Sequence, residues 1–142
     1  MGRFWLTVLG TLLLDQISKL LVVQLLARKV TIVPGFLVLR YVGNPGAAFG
    51  FFANYTLFLA VLITLTLGLA TLAGYNKLKA AAVHWQWGAG LLFGGALGNL
   101  IDRLRFGHVV DFIDLGFWPV FNIADTAIVL GAVFIALGLL KE

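Results

Sequence analysis

Four apolar stretches, about Phe4 to Leu26, Tyr55 to Gly74, Val83 to Ile101 and Phe121 to Leu140, are each long enough to cross a bilayer as a helix. A hydrocarbon core of about 30 Å takes roughly 20 apolar residues at the helical rise. With 61% hydrophobic and 11% charged residues in 142, the composition excludes a soluble domain. The expected fold is an all-α membrane protein, one domain over residues 1–142, with four transmembrane helices. Arg3 ahead of an apolar run has the look of a signal peptide. The run is too long for one and carries Asp15 and Lys19, so it is read as a retained helix.

An even number of spans puts both termini on one side and both long loops, about Ala27 to Asn54 and Asp102 to Val120, on the other. Positive charge does not orient the chain. Arg3, Lys77, Lys79 and Lys141 lie on the terminal side, against Arg28, Lys29, Arg40, Arg103 and Arg105 on the loop side. Within the first loop, Val30 to Val33 and Phe36 to Val42 are β-branched and aromatic runs separated by Pro34-Gly35, which suits a type II turn. Val109 to Ile113 is a third extended run, so a small β element is expected on the bundle. Strand alternation would place Asp111 and Asp114 on opposite faces, leaving one of them for chemistry.

Only six residues are acidic, and four of them fall between Asp102 and Asp125. Carboxylates at the edge of hydrocarbon are costly, which makes such a cluster a functional-site hypothesis. Two Asn-x-x-Asp words, Asn99 to Asp102 and Asn122 to Asp125, bracket it. Asn122 and Asp125 have the spacing of a helix cap with an acid at its third position. That arrangement is compatible with a working carboxylate. Asp102 with Arg103 is read as a structural ion pair, because a carboxylate held by a guanidinium fork is a poor proton shuttle. Asp15 and Lys19, four residues apart, can neutralise one another on one helix face. Gly90, Gly94 and Gly98 recur at the small-xxx-small spacing of close helix packing. His84 beside Trp85 and Trp87 reads as an interfacial belt, and His108 as a loop residue.

The chain lacks cysteine and has two histidines. Thiol nucleophiles, disulfides, a zinc-protease helix and a Ser-His-Asp triad are thereby excluded, and no metal or other cofactor is expected. The +4 net charge is ordinary beside anionic lipid and carries no sign of nucleic-acid binding.

Taken in order, Leu14-Asp15-Gln16-Ile17-Ser18-Lys19, Asn44-Pro45-Gly46-Ala47-Ala48-Phe49-Gly50, Gly98-Asn99-Leu100-Ile101-Asp102-Arg103, Val110-Asp111-Phe112-Ile113 and Phe121-Asn122-Ile123-Ala124-Asp125 resemble lipoprotein signal peptidase, also called signal peptidase II. The resemblance covers nearly the whole chain. It implies a bacterial inner-membrane aspartic endopeptidase that removes the signal peptide of prolipoproteins before a diacylglyceryl-modified cysteine. It implies Asp111 and Asp125 as the catalytic pair, an active site at the outer leaflet and both termini in the cytoplasm. Asp15, Lys19, Asn44, Gly46, Asn99, Asp102, Arg103, Asn122 and Ala124 then have supporting or substrate-contacting roles. Thr126 departs mildly from the family's pattern, where Ser often follows the second catalytic Asp, and the segment between the two aspartates is short.

Two neighbouring carboxylates cannot both ionise easily, so one is expected to keep a proton for the scissile carbonyl while the other activates water. The helix N-terminus favours Asp125 as the base. Asn44 is the candidate for gripping the peptide near the cleaved bond, with a plain turn residue as the alternative. The partners expected are prolipoproteins and membrane lipid, with the enzyme a monomer. A proton-coupled carrier would instead stagger its acids across the bilayer, and a purely structural protein would leave the cluster unexplained.

Overall fold

The computed structural model describes residues 1–25, 28–45 and 56–140. Gly46 and the first residue of the second expected span, Tyr55, lie outside the described residues. The elements in chain order are α1 (Gly2–Leu25), β1 (Val30–Val33), β2 (Leu37–Asn44), α2 (Thr56–Ala73), α3 (Tyr75–Ala80), α4 (Val83–Phe106), β3 (Val109–Asp114) and α5 (Ile123–Leu139). The four expected spans thus correspond to four long helices, α1, α2, α4 and α5. Among the described residues, α1 alone has the length and hydropathy of a membrane-crossing helix, while Ala60–Ala73 and Ile123–Leu139 are shorter apolar helices.

Polarity is distributed inside out. On α1, Leu6, Leu9, Leu14, Ile17 and Leu21 are exposed while Asp15 and Lys19 are buried. Water would penalise that arrangement on both counts, whereas an apolar exterior of this extent marks a surface facing lipid or a partner. Helix α4 is the central element and packs on α1 and α5 through glycines. A methyl group at Gly90 would stand 2.7 Å from Thr7 Cβ, and one at Gly131 of α5 would stand 2.7 Å from the Gly88 carbonyl. The backbones therefore approach as closely as the small-residue spacing implies.

Helix α4 runs past the expected end at Ile101, because no breaker occurs before Gly107. There the chain turns left-handed at φ +73°, and the Gly107 N–H bonds to the Arg103 carbonyl. Asp102 and Arg103 consequently sit inside the helix. The turn at Pro34-Gly35 forms as expected: Gly35 has φ +76°, and the Phe36 N–H donates to the Val33 carbonyl at 3.1 Å. The three strands form an antiparallel sheet in the order β1-β2-β3. Its buried strand, β3, sits on the bundle, where Val110 and Phe112 cluster with Val22 of α1.

This packing leaves no room for a side chain at Gly90. Gly90→Leu is expected to destabilise the helix bundle by about 1–3 kcal/mol, the usual cost of overpacking, read as a lower melting temperature in detergent. An unchanged melting temperature would contradict the close α1–α4 contact.

Candidate active site

The polar interior begins with Lys19, whose ammonium has an acceptor for each of its three protons. It lies 2.8 Å from Asp15 Oδ2, 2.8 Å from Asp102 Oδ2 and 3.0 Å from Asn99 Oδ1. The expected Asp15–Lys19 pair is present. The expected pairing of Asp102 with Arg103 is not: the cation that Asp102 meets is Lys19, from another helix. Adjacent helical residues diverge around the axis and do not face each other. Arg103 donates instead from Nη1 to the Asn99 carbonyl at 3.2 Å. Its charge lies within electrostatic reach of Asp125, Asp111 and Asp102.

Each acid that Lys19 neutralises also ties down backbone. Asp15 Oδ1 accepts from the Ala124 N–H at 2.9 Å, fixing the first turn of α5 to α1. Asp102 Oδ2 accepts from the Val110 N–H at 3.0 Å, fixing the start of β3 to α4. Gln16 completes the knot by donating to Asp15 Oδ2, to Asp102 Oδ1 and to the Gly98 carbonyl. Sequence reasoning assigned Gln16 no role. Its only signal was its position between Asp15 and Lys19.

The two segments anchored in this way carry Asp111 and Asp125. Asn122 caps α5, and the capping box is complete: the Asp125 N–H donates to Asn122 Oδ1 at 2.9 Å, and the Asn122 N–H donates to Asp125 Oδ2 at 3.3 Å. The same Asn122 side chain donates from Nδ2 to Asp111 Oδ1 at 2.7 Å, so one residue holds both carboxylates. Asn99 donates from Nδ2 to Asp125 Oδ1 at 2.8 Å, and Asn44 donates from Nδ2 to Asp111 Oδ2 at 2.8 Å. All four carboxylate oxygens are thereby directed. Asn44 reaches Asp111 because β2 and β3 pair with Asn44 opposite Val109 and Val42 opposite Asp111.

Asp111 is 2% exposed. Burial, opposed by the Asn44 hydrogen bond and reinforced by the nearby charge of Asp125, pushes its carboxyl up to about 6. Asp114, three residues along, points the other way. It accepts from the Gly116 N–H and pairs with Arg40 at 2.6 Å, which together, the Gly116 hydrogen bond foremost, hold its carboxyl below the usual range. The expected division between the two strand faces is therefore present. His108 is engaged elsewhere, with Nε2 2.7 Å from the Tyr41 hydroxyl. Beside Asp125 opens an apolar cavity of about 350 Å³, lined by Phe117, Trp118, Phe121, Val129 and Leu130 among others.

Two expectations follow from this geometry. Lys19→Met would strand two buried carboxylates without their cation. It should cost about 3–5 kcal/mol, as breaking a buried ion pair does, and lower the melting temperature together with any activity. Asp111→Asn should behave in the opposite sense. A carboxyl whose folded value is raised from 3.8 to about 6 binds its proton more tightly when folded. Its ionisation therefore subtracts stability as pH rises through that window, by up to about 3 kcal/mol at neutral pH. The Asn variant escapes this loss, so it should melt no lower than the parent at neutral pH, with any gain vanishing below pH of about 4. A clearly lower neutral-pH melting temperature would contradict the burial penalty at Asp111.

The profile of the family described as signal peptidase (SPase) II matches residues 7–141. A lipoprotein signal peptidase of Pelotomaculum thermopropionicum is 46% identical over 133 residues, covering 92% of this chain and 87% of that protein. One from Moorella thermoacetica is 45% identical over 139 residues, covering 96% and 92%. Two solved structures described as bacterial membrane enzymes are each 32% identical. One superposes with a TM-score of 0.88, covering 100% of this chain and 95% of the other. The second has a TM-score of 0.84 and covers 99% and 89%.

Proposed function

The chain belongs to the signal peptidase II family, peptidases that act on the signal peptides of lipoproteins, and on that premise we propose that Asp111 and Asp125 form an aspartic dyad that activates water. The observation that carries this reading is the single side chain of Asn122, which contacts one carboxylate through Nδ2 and caps the helix of the other through Oδ1. Asp125, held by donors on both oxygens, takes a proton from water as its oxygen attacks the scissile carbonyl carbon. Asp111 supplies its proton to the carbonyl oxygen. The resulting gem-diol collapses when Asp125 passes its proton to the departing amide nitrogen and Asp111 recovers one from a diol hydroxyl. The C–N bond breaks, a carboxylic acid and an amine leave, and the dyad is restored. No metal, cofactor or covalent intermediate is required.

In this reading α1, α2, α4 and α5 cross the inner membrane. The termini lie in the cytoplasm, and the dyad lies at the outer leaflet beneath the three-stranded sheet. The substrate is a prolipoprotein bearing diacylglyceryl-cysteine, cleaved on the N-terminal side of that cysteine by a monomeric enzyme. The apolar cavity beside Asp125 supports lipid recognition. Acyl chains already lie in the bilayer, so their contribution is to position the scissile bond against the dyad. Asn44 serves by orienting Asp111, a role its 2.8 Å hydrogen bond favours over gripping the peptide. Asp15, Lys19, Asn99, Asp102, Asn122 and Ala124 support the dyad from below. Gly46 is assigned a substrate-side role on the family's pattern alone.

Purified protein incubated with a lipidated prolipoprotein, and with the same precursor lacking its diacylglyceryl group, tests the whole reading on one gel. Only the lipidated precursor should be cut. Asp111→Asn and Asp125→Asn should each fold and lose at least about a hundredfold in rate, the lower range for removing a general acid or base. Asp114→Asn should stay within a few-fold of the parent. Near-normal turnover by either dyad variant would remove that residue from the chemistry, and equal cleavage of both precursors would remove lipid from recognition.

A further inference from the structure

A second cavity, about 750 Å³ in volume, opens where α2, α3 and α4 meet. It is separate from the dyad. Its lining on α4 runs from Trp85 to Phe93, which lie roughly 21 Å and roughly 9 Å of helical rise from Asn99 beside Asp125, and none of the residues that hold the two aspartates lines it. Leu67, Ala70, Leu92 and Phe93 make its walls apolar, and Lys77 of α3 stands at its rim. Its volume falls inside the roughly 300–1,000 Å³ typical of ligand sites.

Among the described residues the charge around it is one-sided. Lys77 and Lys79 are exposed on the same short helix, and among the described residues neither forms an ion pair. The five described carboxylates, Asp15, Asp102, Asp111, Asp114 and Asp125, are gathered at the opposite end of the bundle. An apolar slot lined by one ammonium, that of Lys77, with a second, Lys79, exposed two residues along the same helix and neither ion-paired among the described residues, matches an amphiphile whose tail is hydrocarbon and whose head is anionic. A free phosphate would leave the slot unfilled, and a zwitterionic lipid brings its own cation to the lysines.

We propose that this cavity holds an acyl chain of an anionic phospholipid whose phosphate pairs with Lys77 and Lys79. The inference rests on the membrane topology given above, which places this end of the bundle at the inner leaflet. Basic pockets between helices on the cytoplasmic side are suited to anionic head groups. A lipid wedged between α2 and α4 would join a helix hairpin to the bundle at a site independent of cleavage.

The test is retention of lipid by the purified full chain, read by native mass spectrometry after exposure to equal amounts of phosphatidylglycerol and phosphatidylcholine. Two lysines near an anionic head group should give phosphatidylglycerol a preference of roughly thirtyfold. Lys77→Gln with Lys79→Gln should abolish that preference, and Ala89→Trp, which fills the slot, should abolish retention. Neither variant should alter cleavage of lipidated precursor. Equal retention of the two lipids, a preference that survives the double substitution, or displacement by glycerol phosphate as effective as by the whole lipid would each overturn the proposal. The exposed lysine pair keeps the test decisive should the Trp variant fail to fold. Absence of precursor cleavage by the parent protein would sink the peptidase reading while leaving the lipid result to stand separately.

Discussion

A buried ammonium needs every proton matched, and Lys19 meets that demand with partners from two helices, through which two further elements are tied in. Its partners Asp15, Asp102 and Asn99 come from α1 and α4, and the two acids go on to bind the backbone at the start of α5 and of β3. Desolvating these charges is unfavourable in itself, and the compensation lies in excellent geometry with the remaining lone pairs satisfied. The result is specificity of position. The segments that carry Asp111 and Asp125 are located by hydrogen bonds that run back to one cation.

The charge network and the carboxylate pair are linked through amides, whose two ends are distinct. Asn99 turns its oxygen to Lys19, so its nitrogen must face Asp125. Asn122 turns its oxygen to the N–H of Asp125, so its nitrogen must face Asp111. Orientation is thus relayed from an ion pair to Asp111 and Asp125, the two proposed reacting groups. The cap that any helix needs at its N-terminus doubles as the bridge between the two aspartates.

Much of this was legible in the sequence, for identifiable reasons. Period-two alternation separated Asp111 from Asp114, and the pair with Arg40 confirms that the latter faces outward. The Asn122–Asp125 spacing announced its cap, and Pro34-Gly35 its turn. What failed to show were partners distant in sequence. Arg103 is the covalent neighbour of Asp102 and looked like its counter-ion, yet helical geometry turns the two apart and Lys19 arrives from α1. Gln16 and the Asn44–Asp111 bond were hidden for the same reason, since strand register and helix crossing decide them. Helix α4 continues beyond the apolar stretch that ends at Ile101, because hydropathy marks where apolar residues stop while the backbone carries on to the left-handed turn at Gly107.

A dyad of Asp111 and Asp125 requires that the charge of Asp125 be felt at the Asp111 carboxyl. Infrared titration of the carboxyl C=O stretch in the purified enzyme measures this directly. A protonated carboxyl should be lost with a midpoint near 6 and should be missing in Asp111→Asn. In Asp125→Asn its midpoint should fall, because a neighbouring negative charge has been removed. A midpoint for Asp111 that is indifferent to Asp125→Asn would contradict the shared dyad.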